Sequence, residues 1–298
     1  MKSVVSYPDR GEGGSNQYRG NCSPKLIEDI IDQYGVRYLS DYMVGSGTTE
    51  DVCRKLNVPG TFLDLNRGFD MMEMDIPDRP GNVFWHPPYD SIVTYSDVMY
   101  SANEIMRQYG FDPKVNDLSR CKNWEEFVQK MNYCCLKQFT AMEKGGRMFI
   151  LMGDIKKRGK LYSMLLDIAK PGTVEQIIIK TQHNCVSDRR SYSGKFVPIM
   201  HEYLLVLRKD APLIFDVSMN RTVSCDVRDC KGSTWRDIVA SVLEDAGGPL
   251  PLSAIYEKID GHKRCQTNKA WKDKIRQTLQ INACFRSTER GVWAMAAA

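Results

Sequence analysis

No apolar run in the 298 residues approaches the ~20 needed to cross a bilayer. The start, Met1-Lys2-Ser3-Val4-Val5-Ser6-Tyr7-Pro8, lacks the hydrophobic stretch of a secretory signal. These absences predict a soluble, cytoplasmic protein. Charge of one sign is also scarce: 41 Lys and Arg against 37 Asp and Glu leave +4, which decides nothing until the placement of the basic residues is known. Ten cysteines are present but no Cys-x-x-Cys, and Cys225 and Cys230 have no second Cys/His pair at finger-like spacing. No structural metal is therefore expected, and free thiols are the expected state. No Gly-Lys-Ser/Thr follows a glycine-rich loop, which excludes a P-loop, and no internal repeat occurs.

What is present is material for a core, with 42% hydrophobic and 26% charged residues. The length suggests one large or two ordinary domains, at roughly 150 residues each. The first twenty residues, with Gly11, Gly13, Gly14 and Ser15, read as a flexible arm. Ser23-Pro24 predicts the capped start of a helix through Ile31. A β-type run at 36–42 ends in Gly45-Ser46-Gly47-Thr48-Thr49 and leads into a helix over 50–56. Strands are predicted at 61–65, 82–86, 147–152, 174–180 and 201–207, and helices at 124–143 and 161–169; residues 97–125 give no clean period. Alternating strands and helices predict an α/β fold with a parallel-rich sheet. Residues 211–231 read as a linker. From 232 onward, helices at 235–243, 252–259 and 269–280 and a hairpin at 284–293 give the outline of a winged helix.

Two loops carry chemistry. Glycines in Asp41-Tyr42-Met43-Val44-Gly45-Ser46-Gly47-Thr48-Thr49 let the backbone turn tightly and approach a ligand, and Asp64, about twenty residues on, is placed to hold a ribose diol. Read alone, Asp64 is as readily a strand-end charge. At the end of the third predicted strand stands His86-Pro87-Pro88-Tyr89, where two prolines stiffen the backbone.

Taken together, these motifs resemble those of the DNA amino-methyltransferases that use S-adenosylmethionine. The family's signatures are Asp-Pro-Phe-x-Gly-Ser-Gly-Thr-Thr and Asp/Asn/Ser-Pro-Pro-Tyr. Here Tyr42-Met43 replaces Pro-Phe and His86 replaces the acid, amide or hydroxyl. Ser23-Pro24-Lys25-Leu26, Leu63-Asp64-Leu65-Asn66, Asp75 and the late strand His201–Val206 extend the similarity over roughly residues 18–210. The resemblance implies a Rossmann-like methyltransferase sheet over residues 21–210, followed by a smaller winged-helix domain over 232–298. It assigns Pro24, Lys25, Asp41, Gly45, Ser46, Gly47, Thr48, Thr49, Asp64 and Asp75 to S-adenosylmethionine, with no metal. It assigns His86, Pro87, Pro88 and Tyr89 to a flipped base.

The tetrapeptide has a physical purpose. An exocyclic amino nitrogen is a poor nucleophile because its lone pair is delocalised into the ring. Two acceptors at its hydrogens, the first side chain and the Pro87 carbonyl, draw it towards tetrahedral geometry, while Tyr89 stacks on the base. A neutral imidazole at His86 can act as such an acceptor and a protonated one cannot. With an ordinary imidazole near 6.5, methylation should then fall between pH 8 and 5.5. C5-cytosine chemistry is disfavoured because no Pro-Cys occurs, and Cys134-Cys135 read as packing residues.

Arg189, Arg190, Tyr192 and Lys195 are candidates for DNA contact, as are Lys269, Lys272 and Arg276, which sit with Trp271 and Lys274 in a winged-helix-like pattern. Trp235 and Trp293 read as core. The expected activity is methylation of double-stranded DNA at adenine N6, with cytosine N4, an inactive DNA-binding relative, and an RNA or protein amide substrate as alternatives. The resemblance also allows a cognate restriction endonuclease as partner.

Overall fold

The computed structural model describes residues 1–15, 17–183, 197–230 and 232–296. Arg189, Arg190, Tyr192 and Lys195 lie outside the described residues. The chain divides into two compact units, Met1–Asn220 and Arg221–Ala298.

The first unit is built on a mixed five-stranded sheet. Its strands are β1 (Val4–Ser6), β2 (Asn82–Trp85), β3 (Arg147–Met152), β7 (Thr173–Thr181) and β8 (His201–Arg208), in the order β1-β7-β8-β3-β2. β2 and β3 are parallel, as are β1 and β7, and β8 runs antiparallel to both its neighbours. Beyond β2, residues 39–41 and 61–63 continue the sheet through parallel bridges, Ser40 to Val83 and Asp41 to Phe62.

Period-2 alternation explains why helices cover both faces. Met148, Ile150 and Met152 of β3 face one core with Leu205 and Leu207 of β8, while Phe149 and Leu151 face the other with Leu204 and Val206. The first core is covered by α4 (Trp124–Ala141) through Phe127, Met131, Cys134, Cys135 and Phe139. The second is covered by α1 (Pro24–Tyr34) and α2 (Thr48–Lys55), through Leu26, Ile27, Ile30 and Val52. Each such buried side chain contributes about 1.5–3 kcal/mol.

The fold departs from the sequence expectations at several points. The N-terminal arm contains β1, an edge strand whose Val5 is buried in the second core. Ser23 does not cap α1 through its side chain; its hydroxyl donates to the Arg10 carbonyl at 2.8 Å, leaving Pro24 to start the helix. Residues 97–125, which showed no period, hold α3 (Ala102–Tyr109) among short 3₁₀ turns. The helix expected at 161–169 is mostly absent. β4 (Asp154–Lys157) and β5 (Lys160–Ser163) form a hairpin there, and only α5 (Met164–Asp167) is helical. Arg158 and Gly159 both have positive φ, 50° and 78°, the backbone of a tight hairpin turn, which overrides the helical spacing.

The expected linker is also partly structured. β6 (Lys170–Pro171) pairs with β9 (Val217–Ser218) inside the first unit. In the second unit, α6 (Trp235–Ala246) opens with a capping box of Thr234 and Asp237. It is followed by β10 (Leu250–Pro251), α7 (Leu252–Ile259), α8 (Lys263–Thr267) and α9 (Trp271–Ile281). β11 (Phe285–Glu289) and β12 (Val292–Met295) close the unit as a hairpin, with sheet order β10-β12-β11. The core of the unit includes Ile238, Val242, Ile255, Trp271, Ile275 and Leu279, with Trp235 and Trp293 packed against it.

Candidate active site

From the strand at 39–41 the chain crosses through α2 to 61–63 on one side, then returns to β2 on the other. The carboxyl ends of these strands therefore border a topological switch point, where open α/β sheets bind ligands. The Gly45 loop, Asp64 and His86 all follow those ends directly. Two chambers open here, and His86, Gly20, Asn21, Cys22 and Tyr95 line both.

The first chamber holds about 860 Å³, its open mouth included. Asp41, Gly45, Ser46, Thr48, Thr49 and Asp64 line it, with Phe69, Met71, Met72 and Leu118 as apolar walls. Gly45 and Gly47 take positive φ, 54° and 92°, which lets the loop turn over the chamber and into α2. Asp64 locks the turn: Oδ2 accepts the Gly45 amide at 2.8 Å and Oδ1 the Asn66 amide at 2.9 Å. Asp41 accepts the Thr49 hydroxyl at 2.6 Å and the Met43 amide at 3.0 Å, and burial pushes its carboxyl up to about 7. The Thr48 hydroxyl is buried and, among the described residues, has no hydrogen-bond partner.

Four expected cofactor residues do not line it: Gly47 serves the turn into α2, and Asp75, Pro24 and Lys25 sit elsewhere. Asp75 is exposed and does not line the chamber. The carboxylate on that wall is Asp70, which accepts the Met72 amide at 2.9 Å and the Asn116 side chain at 2.8 Å. Pro24 is buried in the start of α1, and Lys25 reaches Asp9 at 3.7 Å instead. The wall assigned to them is made by Tyr18 and residues 20–22. Among the described residues no Lys or Arg lines this chamber, whereas Asp41, Asp64, Asp70 and Asp117 do.

The second chamber has the opposite character. Arg10, Arg19 and Lys180 line it, with Glu202 as its one carboxylate among the described residues, alongside Pro87, Tyr89 and His183. Pro88 turns to the first chamber. The Tyr89 side chain, which lines the second chamber, is tied to two neighbours. Its hydroxyl donates to Glu202 Oε1 at 2.7 Å and lies 3.0 Å from His86 Nε2, and its ring meets the imidazole edge-on. Lys180 Nζ donates to Glu202 Oε2 at 2.6 Å. Burial pushes the His86 imidazole down to about 4, so the ring is neutral through the physiological range. Burial alone would raise Glu202; the Lys180 ammonium and the hydrogen bonds from Lys180 and Tyr89 outweigh it and hold the carboxyl below its usual range.

Neither Lys180 nor the residues of the 97–118 segment were singled out from the sequence. Asp70, Tyr95, Asn116 and Asp117 lie where no periodicity marks a site. Glu202 did carry a signal, since it is an acid inside the apolar run His201–Leu207.

In the second unit, Lys269, Lys272 and Arg276 are exposed, and the last two meet at Tyr256. Arg276 Nε donates to the Tyr256 hydroxyl at 2.8 Å, and Lys272 Nζ lies 5.5 Å from the ring centre. Trp271 is buried rather than presented with them. Ligand atoms of Asp226, Asp229 and His262 come within 4.8 Å of one another. Arg228 already engages Asp226 at 2.6 Å, and Asp229 pairs with His262 at 3.2 Å.

No protein-family profile matches the chain, and no curated protein does. Among solved structures, TrmN from Thermus thermophilus is similar at 10% identity with a TM-score of 0.29. The match covers 64% of this chain and 50% of that protein, so the chain spans half the length of the structure it resembles.

Proposed function

We propose that the first unit is an S-adenosylmethionine-dependent methyltransferase of Rossmann-like architecture, acting on the exocyclic amino group of a DNA base, with adenine N6 preferred over cytosine N4. One observation carries the reading: an acidic chamber and a basic chamber meet at His86, on the switch point of the sheet. A ligand with a sulfonium and an ammonium suits the first, and an anionic nucleotide suits the second. The pyrophosphate of a dinucleotide finds no cation in the first chamber among the described residues. The orphaned Thr48 hydroxyl, beside the Gly45 loop, is a donor that such a ligand would satisfy.

In this reading Asp64 and the Gly45 loop hold the ribose of the cofactor, and Phe69, Met71 and Leu118 flank its adenine. The cofactor supplies an electrophilic methyl group on sulfur. His86 and the Pro87 carbonyl accept the two hydrogens of the target amine and turn its lone pair out of the ring plane. Burial of the His86 imidazole strengthens the hydrogen bond it accepts. The exposed Lys269, ahead of α9, and Lys272 and Arg276 on it supply phosphate contacts in a winged-helix-like second unit, which favours double-stranded DNA.

The test is incubation of the protein with labelled S-adenosylmethionine and unmethylated genomic DNA, then digestion to nucleosides and mass spectrometry. Labelled N6-methyladenine is expected. N4-methylcytosine would move the target base, and DNA binding without any product would overturn the enzymatic reading.

A further inference from the structure

We propose that Lys180, Glu202 and Tyr89 are positioning residues that hold His86 as its Nε2–H tautomer and leave Nδ1 as the acceptor for the target amine. This rests on the amino-methyltransferase reading above and goes beyond it by naming the atom and what aims it.

The argument is a count of protons along a chain of hydrogen bonds. Glu202 is buried against Lys180 and can only accept. The Tyr89 hydroxyl has one proton, and at 2.7 Å from Glu202 Oε1 that proton goes to the carboxylate. Towards His86 the same oxygen then has only lone pairs to offer. At 3.0 Å the facing Nε2 must carry hydrogen, because two bare acceptors at that distance would repel. A neutral imidazole with hydrogen on Nε2 has a bare Nδ1. Among the described residues Nδ1 has no hydrogen-bond partner, and His86 lines both chambers. The pairing of Glu202 with Lys180 is what gives the chain its direction: a neutral side chain at 202 could donate and reverse it.

Gly153 makes room for the arrangement. A Cβ there would stand 2.9 Å from Tyr89 Cε2, so even alanine would move the ring.

The experiment is nitrogen NMR of the imidazoles in the full-length protein at pH 7, with His86 identified by its loss in His86→Asn. A pyridine-like Nδ1 and a protonated Nε2 are expected. In Glu202→Gln the amide can donate to Tyr89, whose hydroxyl turns to Nε2, so hydrogen should move to Nδ1. With DNA as substrate, kcat should then drop on the order of tenfold or more while KM for S-adenosylmethionine holds. Tyr89→Phe and Gly153→Ala should both blur the tautomer without touching a charge, which decides the matter if Glu202→Gln does not fold. A wild-type His86 protonated at Nδ1, or variants with the wild-type imidazole spectrum, would overturn the proposal. Should the tautomer be as stated while no DNA is methylated, the hydrogen-bond chain stands and the methylation reading falls.

Discussion

His86 departs from the pattern that the surrounding loop resembles, and its environment changes what that departure predicts. An ordinary imidazole would titrate near 6.5 and silence an acceptor below neutral pH. Here burial lowers the value to about 4, so the methylation rate is expected to stay flat from pH 8 to 5.5 and fall only as pH approaches 4. That replaces the fall between pH 8 and 5.5 inferred from the sequence. Stability follows the same sign. The unfolded chain takes up a proton near 6.5 and the folded chain does not until about 4, so the contribution present above 6.5 is lost as pH falls through that window. It amounts to ~3 kcal/mol at most, and His86→Asn should unfold with a shallower pH dependence between 6.5 and 4. Asp41 has the opposite sign. Its folded value of about 7 lies above the ordinary 3.8, so its contribution is full below 3.8 and lost as pH rises towards 7. Asp41→Asn, which can still hydrogen-bond Thr49 and Met43, should raise Tm at pH 8 and flatten that limb; a lower Tm at pH 8 would show that the charge stabilises.

At the scale of elements, the weak points are the two short strands that carry the Gly45 loop and Asp64. Being short, they share few backbone bonds, among them the Asp41 amide to the Thr61 carbonyl and the Leu63 amide to the Asp41 carbonyl at 2.9 Å each. Side chains supply the difference. Asp78 accepts Tyr38 at 2.9 Å, Ser40 at 3.0 Å and Thr61 at 2.8 Å through Oδ2, and Tyr42 at 2.5 Å through Oδ1. These bonds tie residues 38–42 to residue 61 across the two strands. Hydrogen bonds to a charged group are worth ~1.5–3 kcal/mol each. Asp78→Ala is expected to cost at least ~2 kcal/mol in urea unfolding and to weaken S-adenosylmethionine binding, measured by calorimetry, although Asp78 lines neither chamber. Unchanged affinity would mean that the strands hold themselves. Nothing in the spacing around Asp78 marks this role, because its four partners are brought together only by the crossing of the chain.

For the whole molecule, the small net charge has a location. All of the +4 falls in residues 221–298, where thirteen Lys and Arg face nine Asp and Glu, while residues 1–220 balance. If α9 contacts phosphates, log affinity for duplex DNA should fall linearly with log salt. A Lys272→Glu, Arg276→Glu double variant should then reduce that slope by about two contacts and leave S-adenosylmethionine binding alone. Titrations of a fluorescent duplex at several salt concentrations measure both, and an unchanged slope would remove α9 from the interface.

The amino-acid order by itself determined whatever depends on neighbours in the chain. It located the inner strands of the sheet, though not β1, since the short apolar runs at 147–152 and 201–207 suit strands buried on both faces. It located α4 through its helical spacing, and the two loops through glycines and prolines that constrain their own backbone. Tertiary structure alone decided what depends on residues far apart. It exchanged Asp75 for Asp70 on the chamber wall, turned Lys25 away to Asp9, and made β5 from a segment with helical spacing. It also drew Glu202, more than a hundred residues beyond His86, into contact with Tyr89 of the 86–89 loop, and Lys180 onto Glu202. The physical reason is that a proton's position on an imidazole is set by whatever donor or acceptor faces it, and only the folded sheet puts one there.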